Sequence, residues 1–299
     1  MTFIKTILAL LLVYCSTLSA KEDACSFLEF PIKFDSQGLP IITIKLEGKN
    51  YEALLDLGSS SGLHLPSKLI EDIPNIKLTG EVQKSINILG KVTESRKFNI
   101  ATLSIGCHTF SNISGVESKN FGASIGSSKT NYKPNEMIVG LNFFKDKIIK
   151  IDYKNSLLTM FSNESFNSDI NKISLIPFDL EHEGIIIRMS TENKEYQMVL
   201  DTGSSSSIFS ANKVGSKENL QTCNYDLGKN IECKYLASNF NILNNRFKSE
   251  IILISFDNRF KMDGLLGSDF LNQFEVTLDL KGNRIGIVNS NLNDSGETH

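Results

Sequence analysis

The chain contains a copy of itself. Tyr51-Glu-Ala-Leu-Leu-Asp56-Leu-Gly-Ser-Ser-Ser61 matches Tyr196-Gln-Met-Val-Leu-Asp201-Thr-Gly-Ser-Ser-Ser206. Each Asp ends an apolar run and opens the sequence X-Gly-Ser-Ser-Ser. A second pair lies downstream: Ile138-Val-Gly140 and Leu265-Leu-Gly267, each with an Asp twelve residues after its Gly, Asp152 and Asp279. A third lies upstream, where Phe34-Asp35 and Phe178-Asp179 precede Asp56 and Asp201 at nearly equal distance. Three landmarks in one order require two copies of one fold, since coincidence does not preserve order and spacing together. The copies join within Ser162 to Ser168, a polar Ser/Asn-rich stretch.

The elements between the landmarks read as strands. Ile41 to Leu46, Ile185 to Met189 and Ile251 to Ile254 are short β-branched runs bounded by polar residues or Gly. Phe98 to Ile105 alternates as a half-buried strand does. Leu141 to Phe144 and Phe270 to Phe274 are expected to begin short helices. Phe30, Phe34, Phe143, Phe144, Phe270 and Phe274 are expected in the core. The fold class is therefore all-β (mainly β), with two pseudo-symmetric β-barrel-like lobes. Asp56 to Gly140 is 84 residues and Asp201 to Gly267 is 66. The longer interval points to an insertion over Glu117 to Glu136, expected to be a solvated loop.

Residues 1–20 read as a signal peptide. Lys5 gives the positive start, Ile7 to Tyr14 the apolar run and Ser16 to Ala20 the small residues of a cleavage site. The lobes then occupy 21–165 and 166–299. An exported chain, secreted or periplasmic, is expected, with no stable membrane span after signal cleavage. Cleavage removes Cys15 and leaves Cys25, Cys107, Cys223 and Cys233, an even number that suits disulfides in three possible pairings. Neither these cysteines nor His64, His108, His182 and His299 have metal-ligand spacing, so no metal is expected. The net charge of −3 is spread along the chain, which argues against nucleic acid as a partner. His64 has no Ser or Cys nucleophile arrangement beside it and is read as a packing or surface residue. Asp152 and Asp279 are read as structural, at strand ends or hairpins.

A strand ending in Asp-X-Gly-Ser places its carboxylate in a tight loop. Two such loops related by pseudo-symmetry bring two carboxylates face to face. Like charges about 3 Å apart do not both ionise, so the pair keeps one proton. Its ionised member can take a proton from water while its protonated member polarises a peptide carbonyl, the two roles amide hydrolysis needs.

Asp201-Thr-Gly-Ser with Leu265-Leu-Gly267, and Asp56-Leu-Gly-Ser with Ile138-Val-Gly140, resemble the paired active-site loops of the pepsin/retropepsin-like aspartic proteases. The resemblance spans about Phe30 to Val288. It implies a bilobal pepsin-like architecture, a monomer, no cofactor, and a peptide or protein substrate bound as an extended strand. It implies Asp56 and Asp201 as the catalytic pair, and Ser59 and Ser204 as hydrogen-bond partners of their outer oxygens. Gly58 and Gly203 would give close backbone approach. Thr202 would reach across to the opposite loop. The family has Thr or Ser where this chain has Leu57, so half of that grip is missing. A catalytically inactive peptide- or protein-binding module on the same fold is the alternative this departure favours. The resemblance further implies a hairpin over the cleft, around Ile86 to Val92 with Gly90 at its turn, and an equivalent turn near Gly228. Cys223 and Cys233 flank Gly228 evenly, as a bridge across the hairpin would, which leaves Cys25 with Cys107. About ten residues separate the cleavage site from the first strand, too few for an inhibitory prosegment at ~3.3 Å each.

Overall fold

The computed structural model describes residues 26–106, 108–119, 125–126, 135–161, 173–214, 221–225 and 229–290. The expected signal peptide, the joint over Ser162 to Ser168, Gly228, Cys25 and Cys107 lie outside them.

The structure is mainly β and consists of three sheets. One sheet of eight strands belongs to the first copy and one of nine largely to the second. Alternation builds them: in Pro40–Leu46, Ile42, Ile44 and Leu46 are buried while Thr43 and Lys45 face solvent. The two copies repeat one topology around their matched landmarks. Lys49–Asp56 runs parallel to Ile138–Gly140, which runs antiparallel to Leu63–Leu65. Glu195–Leu200 runs parallel to Gly264–Leu266, which runs antiparallel to Ile208–Ser210. The hydrophobic-hydrophobic-Gly segment of each copy is thus the strand threaded beside its own Asp loop.

The third sheet has six strands and draws three from each copy, in the order Phe27–Pro31, Leu157–Phe161, Ile148–Asp152, Phe274–Asp279, Arg284–Asn289, Ile176–Pro177. Its central pair, Ile148–Asp152 against Phe274–Asp279, is where the copies meet. Ile149, Ile151, Val276 and Leu278 are fully buried there. Burial of such side chains stabilises by roughly 1.5–3 kcal/mol each, so the junction is apolar and firm. Asp152 and Asp279 close the turns that follow these two strands. Asp152 accepts from the Asn155 backbone N–H (3.0 Å), and Asp279 from that of Gly282 (2.8 Å) and the Arg284 Nε–H (3.0 Å).

Three expectations need correction. The insertion is not wholly a solvated loop. Glu117 ends a strand, and its carboxylate is buried against the Arg96 guanidinium at 2.9 and 3.1 Å. Within the same insertion, Ile125–Gly126 pairs antiparallel with Gln221–Tyr225 as the edge strand of the second copy's sheet. The second short helix is Ser268–Leu271, two residues earlier than expected, because Phe274 already belongs to the shared sheet. Of the six Phe residues, Phe34 is 39% exposed and lies edge-on to Tyr153 at the rim; the other five are core.

Candidate active site

Asp56 is the last residue of Lys49–Asp56, and Asp201 directly follows Glu195–Leu200. Each is locked to its neighbouring strand: Gly140 lies opposite Asp56, and the Asp201 backbone N–H donates to Leu266 O (2.9 Å). The loops close in the same way. Leu141 N–H donates to Ser59 O and Ser268 N–H to Ser204 O, both at 2.8 Å. Glycine is required at the strand because the loop wraps against it. A Cβ on Gly140 would lie 2.2 Å from Ser61 O, and one on Gly267 2.6 Å from Ser206 O.

The two loops face each other across the lobe boundary. A Cβ on Gly58 would fall 2.6 Å from Asp201 Cγ, and one on Gly203 2.7 Å from Asp56 Cγ. Each glycine therefore passes against the opposite carboxylate, where any side chain would collide with it. The carboxyl groups hydrogen-bond to each other. Asp56 Oδ1 also accepts from the Ser59 backbone N–H (3.2 Å), and Asp201 Oδ1 from that of Gly203 (2.9 Å). Burial pushes both carboxyls above the ordinary value of 3.8, Asp201 well above it. For Asp56 the bond to Asp201 and two backbone N–H groups oppose the rise; for Asp201 the charge of Asp56 adds to it. Such a pair titrates as a unit that holds one proton between its two steps.

Beneath the carboxyls, one side chain ties the loops together. The Thr202 hydroxyl donates to Leu55 O (2.7 Å) and accepts from the Leu57 N–H (2.8 Å), all of it buried. Leu57 has no hydroxyl to return the grip, and its side chain lies fully buried in the main core cluster.

The serine hydroxyls differ from expectation. Ser204 Oγ donates to Ser206 O (2.7 Å), within its own loop. With its one proton committed there, it does not donate to Asp201. Ser59 Oγ is paired with His64 Nε2 at 2.7 Å.

The hairpin of the first lobe closes at Ile86 opposite Val92. Gly90 takes φ +82° in its turn, where the Asn87 side chain accepts from the Leu89 and Lys91 N–H groups. Its tip crosses to the second lobe. Asp257 N–H donates to Ile88 O (2.8 Å), and Arg259 donates to Gly90 O (3.0 Å). Ile88 is buried among Ile186, Val199, Ile254, Phe256 and Met262 of that lobe. In the second lobe, Gln221–Tyr225 and Lys229–Ile242 form the corresponding hairpin. The buried Cys233 lies opposite Gln221, and Cys223 opposite Ile231.

Compared by sequence, the chain matches no protein-family model and no curated protein. Compared by structure, it is similar to the crystal structure of aspartic proteinase from Irpex lacteus. That likeness has a TM-score of 0.55 and 13% identity, over 88% of this chain and 97% of that one. The chain has the bilobal pepsin-like fold. At that identity the likeness speaks for the fold, and what the site does rests on its own geometry. Among the described residues no helix is long and apolar enough to cross a membrane.

Two side chains around the dyad, Tyr153 and Asp269, escaped the sequence reading, and a third, His64, is read there as a packing or surface residue. His64 is the partner of Ser59. Tyr153 is buried, and its ionisation is suppressed by burial first and, against the opposing Ser268 hydroxyl, by the charges of Asp201 and Asp56. Asp269, half-buried and pushed up by that burial, accepts from the Ser207 hydroxyl (2.8 Å), which in turn accepts from Gly267 N–H (3.2 Å). The last had a signal in sequence: the first copy carries Asn142 two residues after its Gly, and the second carries Asp269.

Proposed function

We propose that this chain is an aspartic endopeptidase in which Asp56 and Asp201 activate one water for attack on a peptide bond. The reciprocal packing of each glycine against the opposite carboxylate carries the reading, because it sets two half-buried carboxyls in hydrogen-bond contact with raised proton affinity. A pair holding one proton has both a base for the water and an acid for the scissile carbonyl. The substrate is an extended peptide or protein segment, held beneath the hairpin that reaches from Ile86 to Val92. The enzyme works as a monomer, without metal or cofactor. Export by residues 1–20 precedes folding of lobes 21–165 and 166–299, and a Cys223–Cys233 bridge staples the second hairpin.

The test is cleavage of a mixed peptide library between pH 3 and 7. Wild type cleaves, and Asp56→Asn and Asp201→Asn each abolish cleavage. Activity surviving both substitutions rejects the mechanism. The one-sided grip at Leu57 favours a second reading, a peptide-binding module without catalysis. Wild-type protein that retains peptides without cutting them decides for it.

A further inference from the structure

The two serines that follow the dyad residues occupy matched positions and do different things. Ser204 satisfies its hydroxyl within its own loop, whereas Ser59 reaches a side chain, His64. The copies diverge at that partner as well. His64 lies opposite Ile138 on the threaded strand, and the residue in the same place in the second lobe, opposite Leu265, is Ile208. One copy thus fills the position with an apolar side chain, 7% exposed, and the other with an imidazole. Placing a polar ring in a site that an Ile fills equally well costs desolvation, which one hydrogen bond then has to offset.

We propose that His64 is a positioning residue for Asp56: its neutral ring takes the Ser59 hydroxyl proton at Nε2 and keeps that hydroxyl from donating to the Asp56 carboxylate. The inference rests on the dyad reading above. Ser59 contacts Asp56 through its backbone, N–H to Oδ1 at 3.2 Å, while its hydroxyl is engaged on the other side at 2.7 Å. A hydroxyl has one proton to donate. Given to His64, it is withheld from the carboxylate, and a carboxylate lacking a donor keeps a higher proton affinity. His64 thereby helps hold the dyad in its singly protonated form, on the first lobe only.

The surroundings keep the ring neutral. Burial lowers His64 to about 4 and is the one cause that moves it. Its strand lies between Ile138–Gly140, which carries no charge, and His108–Glu117. On the latter, Glu117 stands opposite Leu65 and is engaged by Arg96 (2.9 Å) and Lys119 (3.0 Å). From the hairpin, Gln83 reaches in with a neutral amide that donates to Ser61 Oγ (3.2 Å), and the nearby Lys84 is exposed and paired with Glu94 (2.9 Å). Asp56, coupled to Asp201, lies across Ser59 from the ring.

The experiment compares wild type, His64→Phe, His64→Gln, Ser59→Ala and the double variant Ser59→Ala/His64→Phe. Two readouts are taken: the pH profile of kcat/KM, and titration of the Asp carboxyl carbons by NMR in the full chain, which needs no turnover. In His64→Phe the freed Ser59 hydroxyl turns to Asp56, and the dyad's acid step falls by about half a pH unit or more. In His64→Gln an amide oxygen restores the acceptor and the wild-type step returns. In the Ser59→Ala background His64→Phe produces no further shift. A step that stays put in His64→Phe, or a shift that persists without the Ser59 hydroxyl, overturns the proposal. An inactive wild type whose carboxyls still shift in this pattern upholds the positioning role while rejecting the peptidase reading.

Discussion

Replacing Thr202 with valine removes a hydroxyl and changes almost nothing else in side-chain shape. That hydroxyl makes two buried bonds that cross the lobe boundary, to Leu55 O at 2.7 Å and from Leu57 N–H at 2.8 Å. Valine leaves one carbonyl and one N–H without partners. Each stranded buried group costs about 1–3 kcal/mol, and the added methyl returns about 0.8, so the expected loss is roughly 1–5 kcal/mol. That is a large fraction of the roughly 5–15 kcal/mol that holds a typical domain folded. Because Leu57 supplies no reciprocal bond, nothing else in the grip shares the load. Urea denaturation reads the loss as a lower midpoint at an unchanged slope. Thr202→Ser keeps both bonds and deletes one methyl, so it loses about 1 kcal/mol or less. Peptidase activity should follow the same order, with the valine variant low in kcat because the Asp56 and Asp201 loops are no longer registered. A valine variant as stable as the serine variant, and as active, would falsify the account of how the loops are joined.

The dyad should cost the fold stability at neutral pH. Both carboxyls sit above 3.8 when folded, so as pH rises past 3.8 the unfolded chain releases protons that the folded chain keeps, and stability falls. Asp201→Asn should therefore be more stable than wild type at pH 7, by a margin that shrinks as the pH approaches 3; a variant less stable at pH 7 contradicts the buried pair. His64 works in the opposite direction: with its folded value at about 4 against 6.5, stability drops as pH falls from 6.5 to 4. His64→Phe should flatten that part of the denaturation profile, and an unchanged profile would show that the ring is not shielded. Ile88→Asp should release the hairpin tip, since Ile88 is 8% exposed in the second lobe's apolar cluster and its burial contributes roughly 1.5–3 kcal/mol. Amide exchange over 86–92 should then rise roughly tenfold or more while 148–152 stays protected; equal protection in variant and wild type would mean the tip is not held there. Leu57→Thr should keep or raise activity by completing the grip, and a large loss of activity would mean the buried leucine matters more as packing than the missing hydroxyl does as a link.

What the sequence disclosed and what it withheld divide along a physical line. The repeat exposed Asp56, Asp201, Gly58, Gly203 and the two threaded glycines because each position tolerates one residue type: a carboxylate, or no side chain at all within about 3 Å of a neighbour. Constraint of that kind is written twice in a duplicated chain, so comparing the copies reveals it. The six-stranded junction was not legible. Its strands are short apolar runs, and the pairing of Ile149 with Leu278 or Lys150 with Thr277 joins residues far apart in the chain. Periodicity shows that a strand has a face to bury and is silent about which strand it meets. The hydroxyl partners were missed for the opposite reason. Ser59 and Ser204 look alike, and the resemblance assigned them one role, yet the first has an imidazole within reach and the second a backbone carbonyl. Where copies agree, the shared residue reports what the fold requires; where they disagree at a matched strand position, as His64 and Ile208 do, the difference marks what one half has acquired for itself. Read that way, the asymmetry of this chain is concentrated on the Asp56 side. Leu57 there has given up the cross-lobe hydroxyl, and His64 has taken hold of the neighbouring Ser59. The two changes act on one loop, the six residues between Asp56 and Leu63, and their effects on Asp56 should be coupled rather than additive.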